Sequence, residues 1–136
     1  MELDEAREFI RGHDHAVMVT RRRDGSPQLS PVACGVDEEG VVVVSTRETA
    51  MKTKNLRRDP SVSLCVVSDG FYGQWVQIDG RATVVSLPEA MDGLVRYYRS
   101  ISGEHPDWDD YRNAMMRERR VLVRIALDRA GPDRSG

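Results

Sequence analysis

The sequence is short of whatever would staple, span or activate a chain. Its 136 residues include two cysteines, Cys34 and Cys65, which excludes a disulfide framework and a four-cysteine zinc site. No run approaches the roughly 18–20 apolar residues of a membrane-spanning helix. An excess of one charge is lacking too: 20 basic against 22 acidic residues leave a formal net charge of −2. Such a surface is not built as a whole to grip nucleic acid or an anionic membrane, so neither is expected as a partner. Aromatic residues make up 6%, too few for a platform on which single-stranded bases stack. The acidic start, Met1-Glu2-Leu3-Asp4-Glu5, has no basic-then-apolar secretory layout, so the expected location is the cytoplasm. No Ser-His-Asp order, nucleophile elbow, Walker loop or Rossmann glycine pattern occurs. An enzyme with this sequence therefore needs a cofactor to carry its chemistry.

What is present reads as strand. Valine outnumbers leucine and isoleucine together, a bias towards β-structure. After a short amphipathic helix over residues 3–11, His15 to Thr20 reads as a strand, and Asp24-Gly25 as the turn of a hairpin. The returning strand, Ser26 to Val36, carries Pro27 and Pro31, so it lies at an edge or is bulged at Pro31. Val41 to Val44 reads as a strand buried on both faces, Ser61 to Val67 as half-buried, and Gln74 to Val85 as a long strand bulged at Gly80. Thr49 is the expected cap of a helix ending before Asp59-Pro60. Ser86-Leu87-Pro88-Glu89 reads as a capping box opening a helix to about Ser102, and Asp107 as the cap of another. Val121 to Ile125 is the last strand. The expected fold is mainly β: a small antiparallel barrel of about six strands with peripheral helices, a single domain over residues 1–128, and a flexible tail over 129–136. A barrel this small fills its interior with side chains, so a ligand must sit on its rim or between subunits.

The segment from Arg47 to Arg58 carries both lysines of the chain, Lys52 and Lys54, against eighteen arginines overall. Cations at the start of a helix oppose its dipole at about 0.3–1 kcal/mol each, and an anion would reverse that sign. Free N–H groups of the first turn together with Lys52 make a candidate phosphate site; the plain alternative is a solvated basic helix. Arg57 and Arg58 suit the helix C-terminus without any ligand. Gln74-Trp75, opening a strand after a glycine-flanked turn, offers an aromatic cover for a planar ligand or a packing tryptophan. His13 and His15 lack neighbours to complete a metal shell, and no metal is expected. Cys34 and Cys65 read as inert buried thiols.

Three stretches carry a resemblance: Asp24 to Val32 (DGSPQLSPV), Lys52 to Pro60 (KTKNLRRDP) and Gly80-Arg81-Ala82. They resemble the pyridoxamine-phosphate-oxidase-like split β-barrel flavoproteins, the FMN-binding type. Tyr97-Tyr98-Arg99 followed by Gly103 to Arg112 (GEHPDWDDYR) looks more narrowly like the actinobacterial branch that uses deazaflavin coenzyme F420, the flavin/deazaflavin oxidoreductase B type. The resemblance implies a homodimer with cofactor sites between the subunits. It implies that Gln28, Ser30 and Val32, with Ser45, Thr46 and Arg47, line the ring and ribityl chain. Met51, Lys52 and Asn55 would hold the phosphate, and the partner's Gln74 and Trp75 would close the groove. Ala50 stands where relatives commonly carry a basic residue, and Ala33-Cys34 where many carry a bulky aromatic. Those departures imply a weaker phosphate grip and a reshaped substrate pocket. The activity implied is hydride transfer between reduced F420 and a small-molecule acceptor with an activated C=C or C=N. The alternatives are an FMN oxidoreductase of the same fold and a non-catalytic flavin, deazaflavin or tetrapyrrole carrier. An acidic cofactor tail would suit Arg47, Lys54 and Arg57, which favours F420 over FMN. No catalytic side chain is named.

Overall fold

A computed structural model of the chain describes residues 1–132. Helix α1 (Leu3–Gly12) leads into β1 (His15–Arg21), β2 (Pro27–Val36) and β3 (Val42–Arg47). There follow α2 (Met51–Arg58), β4 (Ser61–Val67), β5 (Trp75–Val85), α3 (Met91–Ser102), α4 (Trp108–Arg117) and β6 (Arg120–Gly131). All pairings are antiparallel, and the order β1-β2-β3-β6-β5-β4 closes into a barrel. This is the mainly β, helix-flanked architecture expected from the alternation of apolar residues.

The alternation also decides where the core lies. Ala16 and Met18 of β1, Leu64 and Val66 of β4, Val76 and Ile78 of β5 and Val123 and Ile125 of β6 fill the interior, with Ala6 and Ile10 of α1 packed among them. Each such side chain contributes about 1.5–3 kcal/mol if fully buried, less for alanine. β3 is buried on both faces, as its valine run predicts. Val42 and Val44 join the interior, while Val43 packs with Leu94, Val95, Tyr111 and Leu122 beneath α3 and α4. The turn at Asp24-Gly25 forms as expected, with Gly25 at φ 88° and Asp24 accepting from Ser26 N at 3.0 Å. The ladder between β5 and β6 shifts register between Asp79 and Gly80. A Cβ at Gly80 would collide with the carbonyl of Ala126, which is why glycine occupies the bulge.

Three local expectations fail, each because a longer-range partner competes. Thr49 does not cap α2: the N-cap is Ala50, and Thr53 Oγ1 instead ties the first turn back to Arg47 O at 2.6 Å. The capping box at Ser86 does not form either, since α3 begins only at Met91 after a turn over residues 87–90. Ser86 Oγ is occupied between Glu48 (3.0 Å) and Arg57 (2.8 Å). The last strand runs beyond Ile125 to Gly131, because the start of β5 still needs a partner. Arg129, assigned to the tail, pairs with Asp79 in register and by an ion pair of 2.8 Å. Residues 133–136 of that tail lie outside the described residues. Asp107 does cap α4, accepting from Asp110 N at 3.1 Å.

Candidate functional site

The barrel opens between β2 and β3. β2 pairs with β1 from Pro27 to Ala33, but with β3 only at Cys34, Gly35 and Val36. β3 beyond Val44 pairs with β6 alone. Two lips result, Pro27–Ala33 on β2 and Ser45–Arg47 on β3. Cys34 N donates to Asp14 O at 2.8 Å across the β1 side, so by alternation residues 27, 29, 31 and 33 turn their backbone groups towards the opening. Two of those four are prolines with no N–H to offer, which accounts for the edge predicted from sequence. At the apex the Tyr97 hydroxyl donates to Ala33 O at 2.9 Å and is itself hydrogen-bonded by the Ser45 backbone. It takes the place of the next rung.

Helix α2 bridges the two lips. On one side the Asn55 amide, 1% exposed, donates to Thr20 Oγ1 (3.1 Å) and to Gln28 Oε1 (3.3 Å) on β2. On the other, Thr53 holds the Arg47 carbonyl at the end of β3. Asn55 also accepts from Arg58 at 3.1 Å, so its polar atoms are engaged within the fold and its part is to position Gln28. Gln28, Ser30 and Val32 present their side chains to the barrel side of the lip, opposite Thr20, Met18 and Ala16. The Ser30 hydroxyl is buried and has no hydrogen-bond partner among the described residues. Thr46 is buried facing inward, Ser45 is half-buried on the opposite face, and Met51 is exposed.

The cations stand by the end of β3. Among the described residues Lys52 has no ion pair or hydrogen bond. Its pKa is lowered, first by burial and then by the charge of Arg120. Ala50 provides no capping side chain, and the first turn of α2 holds no acidic residue. Arg47 and Arg120, cross-strand partners on β3 and β6, share one oxygen of Glu118 at 3.3 and 2.9 Å. Those hydrogen bonds, Arg120's foremost, hold the Glu118 carboxyl below its ordinary range. The tail-binding trio expected from sequence is therefore mostly committed elsewhere: Arg57 pairs with Glu48 at 2.5 Å, Arg47 with Glu118, and only Lys54 stands unpaired among the described residues. Arg120 and Glu118 had no sequence signal, and Tyr97 entered only as part of the stretch that carries the resemblance. They reach the site through the β3–β6 ladder and the packing of α3.

Gln74 and Trp75 are not brought to this place within one chain. Trp75 pairs with Val67 beside His15, whereas Gln28 and Asn55 lie beside Thr20, five residues along β1 or about 17 Å. Trp75 is 38% exposed, and with Val17 (37%) and Leu29 (59%) it forms part of an apolar outer face on β2-β1-β4-β5. His13 bonds Phe9 O at 2.9 Å through Nδ1 and stacks on the Phe9 ring. Burial pushes the Cys34 thiol up to about 12, an unreactive state. The segment Gly103 to Arg112 forms a packing cluster in which Tyr98, His105, Trp108 and Tyr111 meet ring to ring at 5.0–5.8 Å.

Comparison with known proteins fits this geometry. Residues 3–131 match the pyridoxamine 5'-phosphate oxidase family. A crystal structure of a conserved hypothetical protein from Mycobacterium tuberculosis is similar at 28% identity over 96% of this chain and 82% of that one, with a TM-score of 0.76. An F420 reductase is similar at 18% identity over 87% and 89% of the two chains, with a TM-score of 0.65. HutZ, a heme storage protein from Vibrio cholerae, is similar at 17% identity over 96% and 94%, with a TM-score of 0.72. At those last two identities the likeness concerns the fold.

Proposed function

The chain belongs to the pyridoxamine 5'-phosphate oxidase family, and we propose that it is an F420-dependent oxidoreductase working as a homodimer in the cytoplasm. The observation that carries this is the open lip: among the described residues the half-buried Lys52 on the helix that bridges it has no counter-ion, and the buried Ser30 hydroxyl on its β2 side has no partner. A phosphate-bearing ligand with a polar ring satisfies both at once. The F420 branch is favoured by the resemblance of the Tyr97–Arg112 segment.

Lys52 and the first-turn N–H groups of α2 would hold the phosphate by charge and dipole. Ser30 would bond a polar atom of the ring, and Gln28, fixed by Asn55 and Thr20, would set the ring's position at the lip. The chemistry that F420 would supply when bound there is hydride transfer to an electron-poor C=C or C=N acceptor. The chain's own part is to orient the reactants and keep water from the ring. The apolar outer face supports the second subunit, whose Gln74 and Trp75 would close the groove. Exposed as they are, these surfaces are what a dimer would cover.

A second reading is favoured by one specific observation. With Arg47 and Arg57 held by Glu118 and Glu48, the unpaired charge is the size of one phosphate, which suits FMN. Parallel fluorescence titration with F420 and FMN, for the natural protein and for Lys52→Ala, separates the two. Preferential F420 binding that weakens by about 1–3 kcal/mol in the variant is the expected result. Tight FMN binding with no response to F420 moves the protein to the flavin branch, and silence towards both defeats both readings.

A further inference from the structure

We propose that Arg120 and Lys52 together form a two-pronged phosphoryl-binding site, and that Glu118 is the internal carboxylate a bound phosphoryl group displaces from Arg120. Arg47 and Arg120 share the single Glu118 carboxylate, and Lys52, which has no ion pair among the described residues, lies within the field of Arg120. Glu118 engages only one of the two donors on the side-on edge of the Arg120 guanidinium, Nη2 at 2.9 Å. The neighbouring Nε–H on that edge is buried and has no partner among the described residues. A guanidinium presents its donors as a planar fork that matches two oxygens of a phosphoryl group, and half of this fork is empty. Lys52 supplies the complementary prong. It comes from α2, which Thr53 ties to the end of β3 directly across the ladder from Arg120. The charge of Arg120 acts on Lys52, so the two share one electrostatic site.

The backbone places them deliberately. Arg119, between Glu118 and Arg120, holds φ at 53°, a left-handed conformation costly for any residue but glycine or asparagine. Its carbonyl is fixed by Glu48 N at 2.8 Å. A relaxed residue there would turn either Glu118 or Arg120 away from the other. Because Glu118 already serves Arg47 as well, losing Arg120 to a ligand leaves it paired. A phosphoryl group is preferred to a carboxylate because two oxygens can engage Arg120 while a third faces Lys52.

This inference rests on the proposed function only in expecting a phosphate-bearing ligand, and its test uses none of the cofactors. The chain has two lysines, so a protein labelled with ¹³C-lysine gives two side-chain signals, assigned by a Lys54→Ala variant. Inorganic phosphate is titrated at constant ionic strength. The expected result is a saturable shift of the Lys52 signal with little change at Lys54. Arg120→Gln weakens that titration by about tenfold or more, and Glu118→Gln strengthens it by roughly three- to tenfold. A Lys52 signal indifferent to phosphate overturns the site. An Arg120→Gln titration equal to the natural one removes Arg120 from it. Glu118→Gln keeps the Arg120 side chain and serves where Arg120→Gln fails to fold; weaker phosphate binding in it shows a supporting residue rather than a competitor. Phosphate binding without binding of F420 or FMN leaves this inference standing and sinks the cofactor assignment alone.

Discussion

Asn55→Ala separates a residue that holds the lip in place from one that merely touches a ligand. The side chain is 1% exposed and makes three hydrogen bonds, to Thr20, Gln28 and from Arg58. Each is worth about 0.5–1.5 kcal/mol net, but they are not lost equally. Gln28 and Arg58 lie near water and recover part of their bond, so each costs about 0.5 kcal/mol. Thr20 is 1% exposed, keeps only its own donation to Gln28 at 3.2 Å, and is left with an unsatisfied oxygen at about 1–2 kcal/mol. The expected loss is therefore about 2–3 kcal/mol, which for a domain of this size lowers Tm by roughly 10 °C. Urea denaturation measures it directly, and a double-mutant cycle with Gln28→Ala gives a coupling of about 0.5–1.5 kcal/mol. Asn55→Asp, which keeps the shape but loses both donors, destabilises at least as much at neutral pH. A loss below about 0.5 kcal/mol with no coupling to Gln28 would refute the view that α2 clamps the lip.

Three further expectations follow from the same contacts. Lys52→Met abolishes phosphate binding yet raises the stability of the ligand-free protein by about 0.3–1 kcal/mol, a gain that shrinks in high salt. The sign follows from its lowered pKa: the fold disfavours the charged form, so the natural protein gains stability as pH rises from the folded value to the ordinary 10.5, and the variant lacks that slope in thermal melts. Tyr97→Phe removes the hydroxyl inserted between Ala33 and Ser45, costs about 1–2 kcal/mol, and speeds hydrogen exchange at Ser45; unchanged exchange contradicts the inserted rung. Asp79→Asn flattens acid denaturation. Burial works to raise the Asp79 pKa, but bonds from Ser63, Arg129 and Gln77 outweigh it and lower it. Its contribution is thus present above about pH 4 and lost as pH falls through the folded value, so natural and variant stabilities should converge in acid.

What the sequence made legible were features with a short-range cause. Strand alternation, the Asp24-Gly25 turn, the Gly80 bulge and the proline-marked edge of β2 all appear where local pattern places them. Lys52 was legible because a cation at a helix start is anomalous on its own. Thr49 and Ser86 were misread because a hydroxyl near a helix start looks like a cap, whereas Thr53 and a Glu48–Arg57 pair captured the relevant bonds. Arg120 was invisible for a topological reason. It lies 68 residues from Lys52 in sequence (120 − 52), and only the pairing of β3 with β6 brings it near. The same ladder neutralises Arg47 through Glu118, 71 residues away, a pairing no local charge count could anticipate.

The opening itself is inexpensive for physical reasons that bear on function. Zipping β2 onto β3 along the whole lip would need N–H donors on the side where Pro27 and Pro31 have none. Pro27 O is already taken by Arg22 at 2.8 Å and Ala33 O by Tyr97 at 2.9 Å. Little ladder energy is forgone by staying open, so the two lips need no ligand to keep them apart. The cost sits elsewhere, in the uncompensated Lys52 charge, the empty half of the Arg120 fork and the unpartnered Ser30 hydroxyl. Each of these is a donor or charge left without a counterpart among the described residues, which an anionic, polar-ringed ligand would supply. A protein that keeps its scaffold cheap to open and concentrates its unsatisfied groups at that opening has spent stability where binding returns it.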